Sequence, residues 1–230
     1  MMERRGLSQE GLKLIACATM LLDHIGATLY PSVGLRIIGR LALPIFCFLL
    51  AEGIHYTKNP GKYAMRLLVG IWLAEIPFDL CFFHGLTWRH QSVMVTLFLG
   101  YLYGMLQKRT ENPGLKILLI LPFFILAEWF RTDYGGWGIA MVAMFVLTRE
   151  MPGRHIIQAI VLAMICYMIG GMQVSLGPLR MYAQMFGLLA LIPIWCYHGK
   201  KATDARWVQI TFYLFYPVHI FGLFLIGKCI

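Results

Sequence analysis

In this chain of 230 residues, 59% are hydrophobic and 13% charged, a balance that excludes an ordinary water-soluble domain. No long linker, low-complexity tract or separate charged module interrupts it, so residues 1–230 read as one domain built for a lipid bilayer. The net charge of +9 is explained by membrane topology rather than by nucleic acid, and no nucleic-acid partner is expected. The two halves also lack the self-similarity of inverted-repeat transporters.

Taken in chain order, apolar stretches that approach a bilayer crossing cover 12–30, 35–54, 65–83, 92–106, 115–130, 135–147, 156–171, 179–197 and 207–226. Turn and breaker signals separate them: Tyr30-Pro31, Asn59-Pro60-Gly61, Asn112-Pro113-Gly114, Gly135-Gly136, Pro152-Gly153 and Gly177-Pro178. The expectation is an all-α polytopic membrane helical bundle of about nine transmembrane helices. The sixth stretch is short for a crossing and raises the alternative of a re-entrant segment. Charge placement decides that point. With the N-terminus cytoplasmic and nine crossings, fourteen Lys and Arg fall inside (Arg4, Arg5, Lys200 and Lys201 among them) and five outside. A non-crossing sixth segment gives eleven against eight. The C-terminus is therefore expected outside, and the protein in the inner, cytoplasmic membrane as a multi-pass protein. Six cysteines are scattered without a C-x-x-C; they read as packing residues, and no metal site is expected.

Ionisable groups inside a bilayer are costly and mark pairing or chemistry. Under this topology Asp23, His24, Arg36, Arg40, Glu75, Asp79, Glu128, Asp133 and His219 gather in the outer half, which implies a polar chamber open to the outside. The inner rim is cationic, with Lys13, Lys58, Lys62, Arg66, Lys108 and Arg109, and suits a cytoplasmic anion. Lys13 and His24 stand eleven residues apart, about three helical turns and ~16.5 Å, nearly on one face. A long ligand such as an acyl-coenzyme A would span them.

Several runs carry a family likeness: Leu12-Lys13-Leu14-Ile15-Ala16, then Met20-Leu21-Leu22-Asp23-His24-Ile25-Gly26, and Gly39-Arg40-Leu41-Ala42-Leu43-Pro44 continuing to Ala51-Glu52-Gly53. Lys62-Tyr63-Ala64-Met65-Arg66-Leu67, Ile76-Pro77-Phe78, Thr96-Leu97 before Gly100, Asp133-Tyr134-Gly135 before Gly138, and Tyr216-Pro217-Val218-His219 complete it. The chain resembles the TraX family, named for the conjugative pilin acetylase, over most of its length. Ser92 stands where that pattern usually has an asparagine. The family is in turn distantly similar to membrane acyltransferases of the acyltransferase-3 type, whose first helix carries a basic residue, ten positions and a histidine, as Lys13 and His24 do here.

The resemblance implies a membrane-embedded, acetyl-CoA-dependent acyltransferase. His24 would be the general base, with Asp23, Arg40, Glu75 and Asp79 as further catalytic candidates. Lys13, Lys62, Tyr63 and Arg66 would hold coenzyme A. Glu52, Thr96, Glu128, Asp133, Tyr134, Tyr216 and His219 are candidates for contacting an acceptor, either the N-terminal amine of a pilin-like polypeptide or a hydroxyl of an envelope glycan. Successive helical residues point about 100° apart, so an Asp23–His24 relay is not expected; a carboxylate from another helix, out of Glu52, Glu75, Asp79, Glu128 and Asp133, is expected to orient His24. Plainer readings stand beside these. His24 can be a packing histidine, Arg36 and Arg40 can pair with Glu75 and Asp79 across two helices, Glu52 can be a helix end reaching water, and Lys13 can be a snorkelling topology signal. Two other classes of function remain open: a proton-coupled transporter, or a membrane scaffold of a conjugation or secretion apparatus.

Overall fold

The computed structural model describes residues 6–199, 202–203 and 205–229; Arg4, Arg5, Lys200 and Lys201 of the charge count lie outside the described residues. The fold is all-α apart from one hairpin. In chain order the helices are α1 (Gln9–Thr28), α2 (Val33–Gly39), α3 (Ala42–Tyr56), α4 (Pro60–Phe83), α5 (Val93–Gln107), α6 (Pro113–Leu118), α7 (Ile120–Trp129), α8 (Gly135–Thr148) and α9 (Arg154–Ile169). Strands β1 (Gln173–Leu176) and β2 (Leu179–Tyr182), a 3₁₀ segment (Ala183–Ala190), α10 (Leu191–Trp195) and α11 (Arg206–Cys229) follow.

Local chemistry explains the boundaries. The two Asn-Pro-Gly runs are helix starts as well as turns. Asn59 Oδ1 accepts from the N–H of Lys62 at 3.0 Å and Asn112 Oδ1 from that of Leu115 at 3.2 Å, each with proline in the first turn. Helix α4 therefore begins five residues before the apolar stretch that announced it. Prolines also break two expected helices. Pro44 and Pro122 lack the N–H that would reach the carbonyls of Arg40 and Leu118 and crowd those carbonyls, so 35–54 divides into α2 and α3 and 115–130 into α6 and α7.

The stretch 179–197 is not the helix expected of it. Its first four residues are β2, paired antiparallel with β1 in the register Gln173↔Tyr182 to Leu176↔Leu179. Gly177 takes φ +64 at the two-residue turn before Pro178, where a left-handed first position is what closes a tight hairpin. Pro193 then separates the 3₁₀ segment from α10 by the same missing N–H as Pro44 and Pro122.

The short sixth stretch is the core of the bundle. Ile139, Met141, Val142, Ala143 and Phe145 of α8 are at most 1% exposed, and the helix packs on α3, α5, α7 and α9. Small residues permit the approach: a Cβ on Gly100 would meet Val142 at 2.9 Å, and one on Gly136 would sit 2.3 Å from the Phe124 ring. Helix α11 lies parallel to α1, because Lys13 meets Phe212, His24 meets His219 and Leu29 meets Gly227 in the same chain order. Of the cysteines, Cys17, Cys47 and Cys166 are buried, whereas Cys196 and Cys229 are exposed rather than packed.

The outward surface is apolar. Trp72, Trp129 and Trp207 are 74%, 81% and 72% exposed, and among the described residues two spans, Val33–Tyr56 and Trp207–Cys229, are long and apolar enough to cross a membrane. Exposed apolar area on this scale suits lipid contact.

The tightest approach is at Gly39, where a Cβ would stand 2.2 Å from that of Asp23. Gly39→Ala is therefore expected to destabilise the bundle by about 1–3 kcal/mol in thermal unfolding of the detergent-solubilised protein. Gly61→Ala, whose Cβ would come no closer than 3.8 Å to Asn59 Oδ1, serves as the neutral control.

Candidate functional site: a cavity at one end of the bundle

A cavity of about 820 Å³ opens where α1, α4, α11, the α2–α3 corner and the loop before α8 converge. Asp23, His24, Arg40, Glu128, Asp133, Tyr134 and Tyr216 all line it. His219 joins them through His24. Glu75, Asp79 and Thr96 stand behind the wall, and Glu52 and the coenzyme A candidates Lys13, Lys62, Tyr63 and Arg66 are not among its lining residues.

On one wall, Asp23 bridges two guanidinium groups. Its Oδ2 is 2.7 Å from Arg36 Nη1, and its Oδ1 accepts from Arg40 Nη2. Arg40 donates further through Nη1 to the Tyr134 hydroxyl at 3.4 Å and to Gln184 Oε1 at 3.3 Å, and through Nε to the Arg36 carbonyl at 3.1 Å. The expected pairing of Arg36 and Arg40 with Glu75 and Asp79 is thus replaced by a pairing with Asp23. Glu75 instead accepts from the Ser92 N–H at 3.0 Å and the Ser92 hydroxyl at 2.9 Å, and Asp79 Oδ2 accepts from the N–H of Thr87 at 2.8 Å. Both carboxylates fasten the α4–α5 connection.

On the facing wall, His24 Nδ1 is 2.7 Å from His219 Nε2, and His219 Nδ1 is 2.6 Å from the Phe215 carbonyl oxygen. The two rings lie within 4° of parallel with centroids 5.0 Å apart, the geometry of imidazoles bonded edge to edge. A carbonyl only accepts, so Nδ1 of His219 carries a proton. With both rings neutral, His219 Nε2 is then the acceptor and His24 Nδ1 the donor. Among the described residues no partner takes Nε2 of His24, which keeps a free lone pair, the state a general base requires. The orienting partner is a histidine, not one of the five carboxylates considered.

The third wall is the loop joining α7 to α8. Arg131 and Tyr134 have φ of 50° and 64° and Gly135 of 51°, a run of left-handed backbone held from several sides. Gln91 exchanges backbone bonds with it, donating to the Arg131 carbonyl at 3.1 Å and accepting from the Asp133 N–H at 2.8 Å. The Thr96 hydroxyl donates to the Asp133 carbonyl, and Glu128 Oε1 accepts from the Gly136 N–H at 2.8 Å, capping α8. Thr96 and Glu128 therefore position the loop.

Thr132 was not anticipated. It is 3% exposed, lines the cavity, and its hydroxyl has no hydrogen-bond partner among the described residues. It precedes the Asp133-Tyr134-Gly135 run, but no pattern in the sequence singles it out. Of the remaining candidates, Tyr63 stacks on Tyr101 at 4.9 Å, Lys13 lies 5.3 Å over the Phe212 ring, and Lys62 and Arg66 are exposed on α4.

This is a helical-bundle protein that lines a cavity at one end of an apolar core with ionisable side chains. A family profile for TraX protein matches residues 8–227, and the chain belongs to the TraX family. It is 36% identical over 230 aligned positions to the probable fimbrial assembly protein FimC, serogroup H1, of Dichelobacter nodosus, covering 91% of each chain. It is also 30% identical over 148 positions to uncharacterized protein RP591 of Rickettsia prowazekii (strain Madrid E), covering 62% of this chain and 56% of that one. No solved structure is significantly similar to it.

His90, in the connection before α5, lies 3.8 Å from Asp133 Oδ1; that carboxylate raises its pKa above the ordinary value despite partial burial. A raised folded-state pKa means the pair stabilises fully below the unfolded value of about 6.5 and is lost as pH rises through the folded one. His90→Gln should therefore lower the melting temperature at about pH 6 and leave it nearly unchanged at about pH 9, as followed by differential scanning fluorimetry.

Proposed function

We propose that the protein is a multi-pass inner-membrane acyltransferase that moves an acetyl group from acetyl-CoA, loaded from the cytoplasm, to an acceptor reached from the outer side. The observation that carries the reading is the free Nε2 of His24 on the wall of a cavity large enough for a small-molecule substrate. The apolar outward surface and the parallel run of α1 and α11 support a nine-crossing bundle with its ends on opposite sides. Either end of the acceptor range, a pilin-like amine or a glycan hydroxyl, remains compatible with the site. The name of the Dichelobacter relative, a probable fimbrial assembly protein, favours the pilin-like polypeptide.

The chemistry follows from the hydrogen-bond directions. His24 Nε2 takes the proton of the acceptor amine or hydroxyl as that atom attacks the thioester carbonyl carbon. The bond from acceptor to carbonyl carbon forms, the C–S bond breaks, and the leaving sulfur recovers the proton from Nε2. His219, backed by the Phe215 carbonyl, fixes the tautomer and supports the charge that His24 carries in between. The Arg36 and Arg40 guanidinium groups place positive charge on the cavity lining, where it favours the oxyanion of the attacked carbonyl and is offset in part by Asp23, Glu128 and Asp133.

Acetyl transfer by the purified full-length protein in detergent, with a pilin-derived peptide or an aminosugar as acceptor, tests this directly. His24→Ala should lower kcat about 10²–10⁴-fold at unchanged folding. His219→Ala should cost more than His219→Gln, whose side-chain carbonyl can accept the same proton from His24, and should shift the pH–rate profile. Absence of both acetyl transfer and acetyl-CoA binding in the native protein would remove the acyltransferase reading in favour of a scaffold.

A further inference from the structure

A second cavity, of about 270 Å³, lies at the opposite end of the bundle among α3, α8, α9 and α10. It is built around Arg149. The Arg149 Nε is 2.8 Å from Glu52 Oε1, its Nη2 donates to the Tyr56 hydroxyl at 2.9 Å, and its Cζ lies 5.1 Å over the Tyr56 ring. Glu52, expected as an acceptor contact or a helix end in water, is 6% exposed and neutralised by this pair. Arg149 Nη1 also reaches Glu150 Oε1 at 3.3 Å, and Arg154, donating through Nη1 to the Arg149 carbonyl at 3.0 Å, adds a second guanidinium to the lining. Trp195 forms another wall, its ring held by Gln158 Oε1 at 3.0 Å, with Gln158 held in turn by Thr148 at 3.0 Å. Arginine beside fixed aromatic faces is the chemistry that recognises a phosphorylated purine.

The two cavities share one seam. On α3, Leu43 lines the first and Ala51 the second, with Cys47 between them; on α8, Trp137 lines the first and Phe145 the second, with Met141 between. On α9, Ile169 and Gln158 stand at the two ends with Leu162 and Ile165 between. Each series advances by three or four residues, so each keeps to one helical face. From Leu43 to Ala51 is eight residues, about 12 Å of rise. The intervening Cys47, Met141 and Leu162 are fully buried, an apolar filling with soft, adaptable sulfur side chains.

Resting on the acyltransferase reading, we infer that this second cavity takes the phosphorylated adenosine end of the acyl donor and that the seam is the course of its flexible arm to His24. The donor then enters between α3, α8 and α9, not along the Lys13, Lys62 and Arg66 rim, which lines neither cavity.

The test is equilibrium binding of adenosine 3′,5′-bisphosphate to the full-length protein, with kinetics on acetyl-CoA. Arg154→Gln and Trp195→Leu should each raise Kd for the bisphosphate, and KM for acetyl-CoA, about tenfold, the loss expected for one charge-assisted contact in the first and one stacked aromatic face in the second, and Arg154→Lys should recover part of the first. Retained melting temperature separates a binding loss from a folding loss. If Lys62→Gln weakens the bisphosphate and Arg154→Gln does not, the inference is overturned although acetyl transfer persists. If the bisphosphate binds and Arg154→Gln weakens it, but the native protein transfers no acetyl group, the site stands and the acyltransferase reading falls.

Discussion

Two guanidinium groups closing on the Asp23 carboxylate determine how the cavity end of the molecule is assembled. Both charges come from the α2–α3 corner and the carboxylate from α1, so the ion triad is also the joint between these helices. It forms only because Gly39 lets the backbone of α2 approach Asp23 within the space a methyl group would fill, and because Pro44 frees the Arg40 region from a continuous helix. A partly buried triad of this kind contributes little net stability when complete. Losing one partner is what is costly, at about 3–5 kcal/mol, because a charge is left in an apolar setting. With Asp23 engaged toward α2, the next residue of α1 is turned about 100° away, and His24 faces α4 and α11. The division of labour between two adjacent residues follows from helix geometry.

Much of this was legible in the order of residues, and the exceptions have definite causes. The ionisable groups proper to the cavity could be picked out because they interrupt apolar helices, where each must find a partner. Which partner each finds depends on rotation and depth, which periodicity does not supply. Arg36 and Arg40 matched Glu75 and Asp79 equally well by spacing, yet Ser92 and Thr87 occupy those carboxylates. The broken helices carried a readable signal in Pro44, Pro122 and Pro193, each the third residue of the helix that follows its break. Pro77 and Pro217 sit inside unbroken helices, so proline alone does not decide. The β1–β2 hairpin was hidden by hydrophobicity itself, since Leu179, Met181 and Tyr182 continue directly into the apolar 3₁₀ segment.

The histidine pair shows the same limit at atomic scale. His24 and His219 lie 195 positions apart, and nothing in either local sequence orders one to accept from the other. The order comes from the Phe215 carbonyl, one helical turn before His219. A backbone oxygen can only accept, so it polarises the two imidazoles in a single direction and leaves the lone pair at the cavity.

The polarity of the interior bears on the functional readings that sequence left open. A proton-coupled pathway requires titratable or hydrated groups in succession from one side to the other. Here ionisable side chains collect at the two ends: the Asp23 triad and His24 at one, Glu52 with Arg149 at the other. Among the described residues, the seam between them is lined by Cys47, Met141, Leu162, Ile165 and Phe145, each no more than 3% exposed. Such a barrier opposes the passage of charge, because an ion placed there would lose its hydration without gaining a partner. It is far less hostile to a thin, largely uncharged chain, since thioether and thiol side chains repack at small cost. Under the proposed function, an interior that keeps charges apart and still yields to a flexible arm suits an acyl group carried across while its phosphates stay behind.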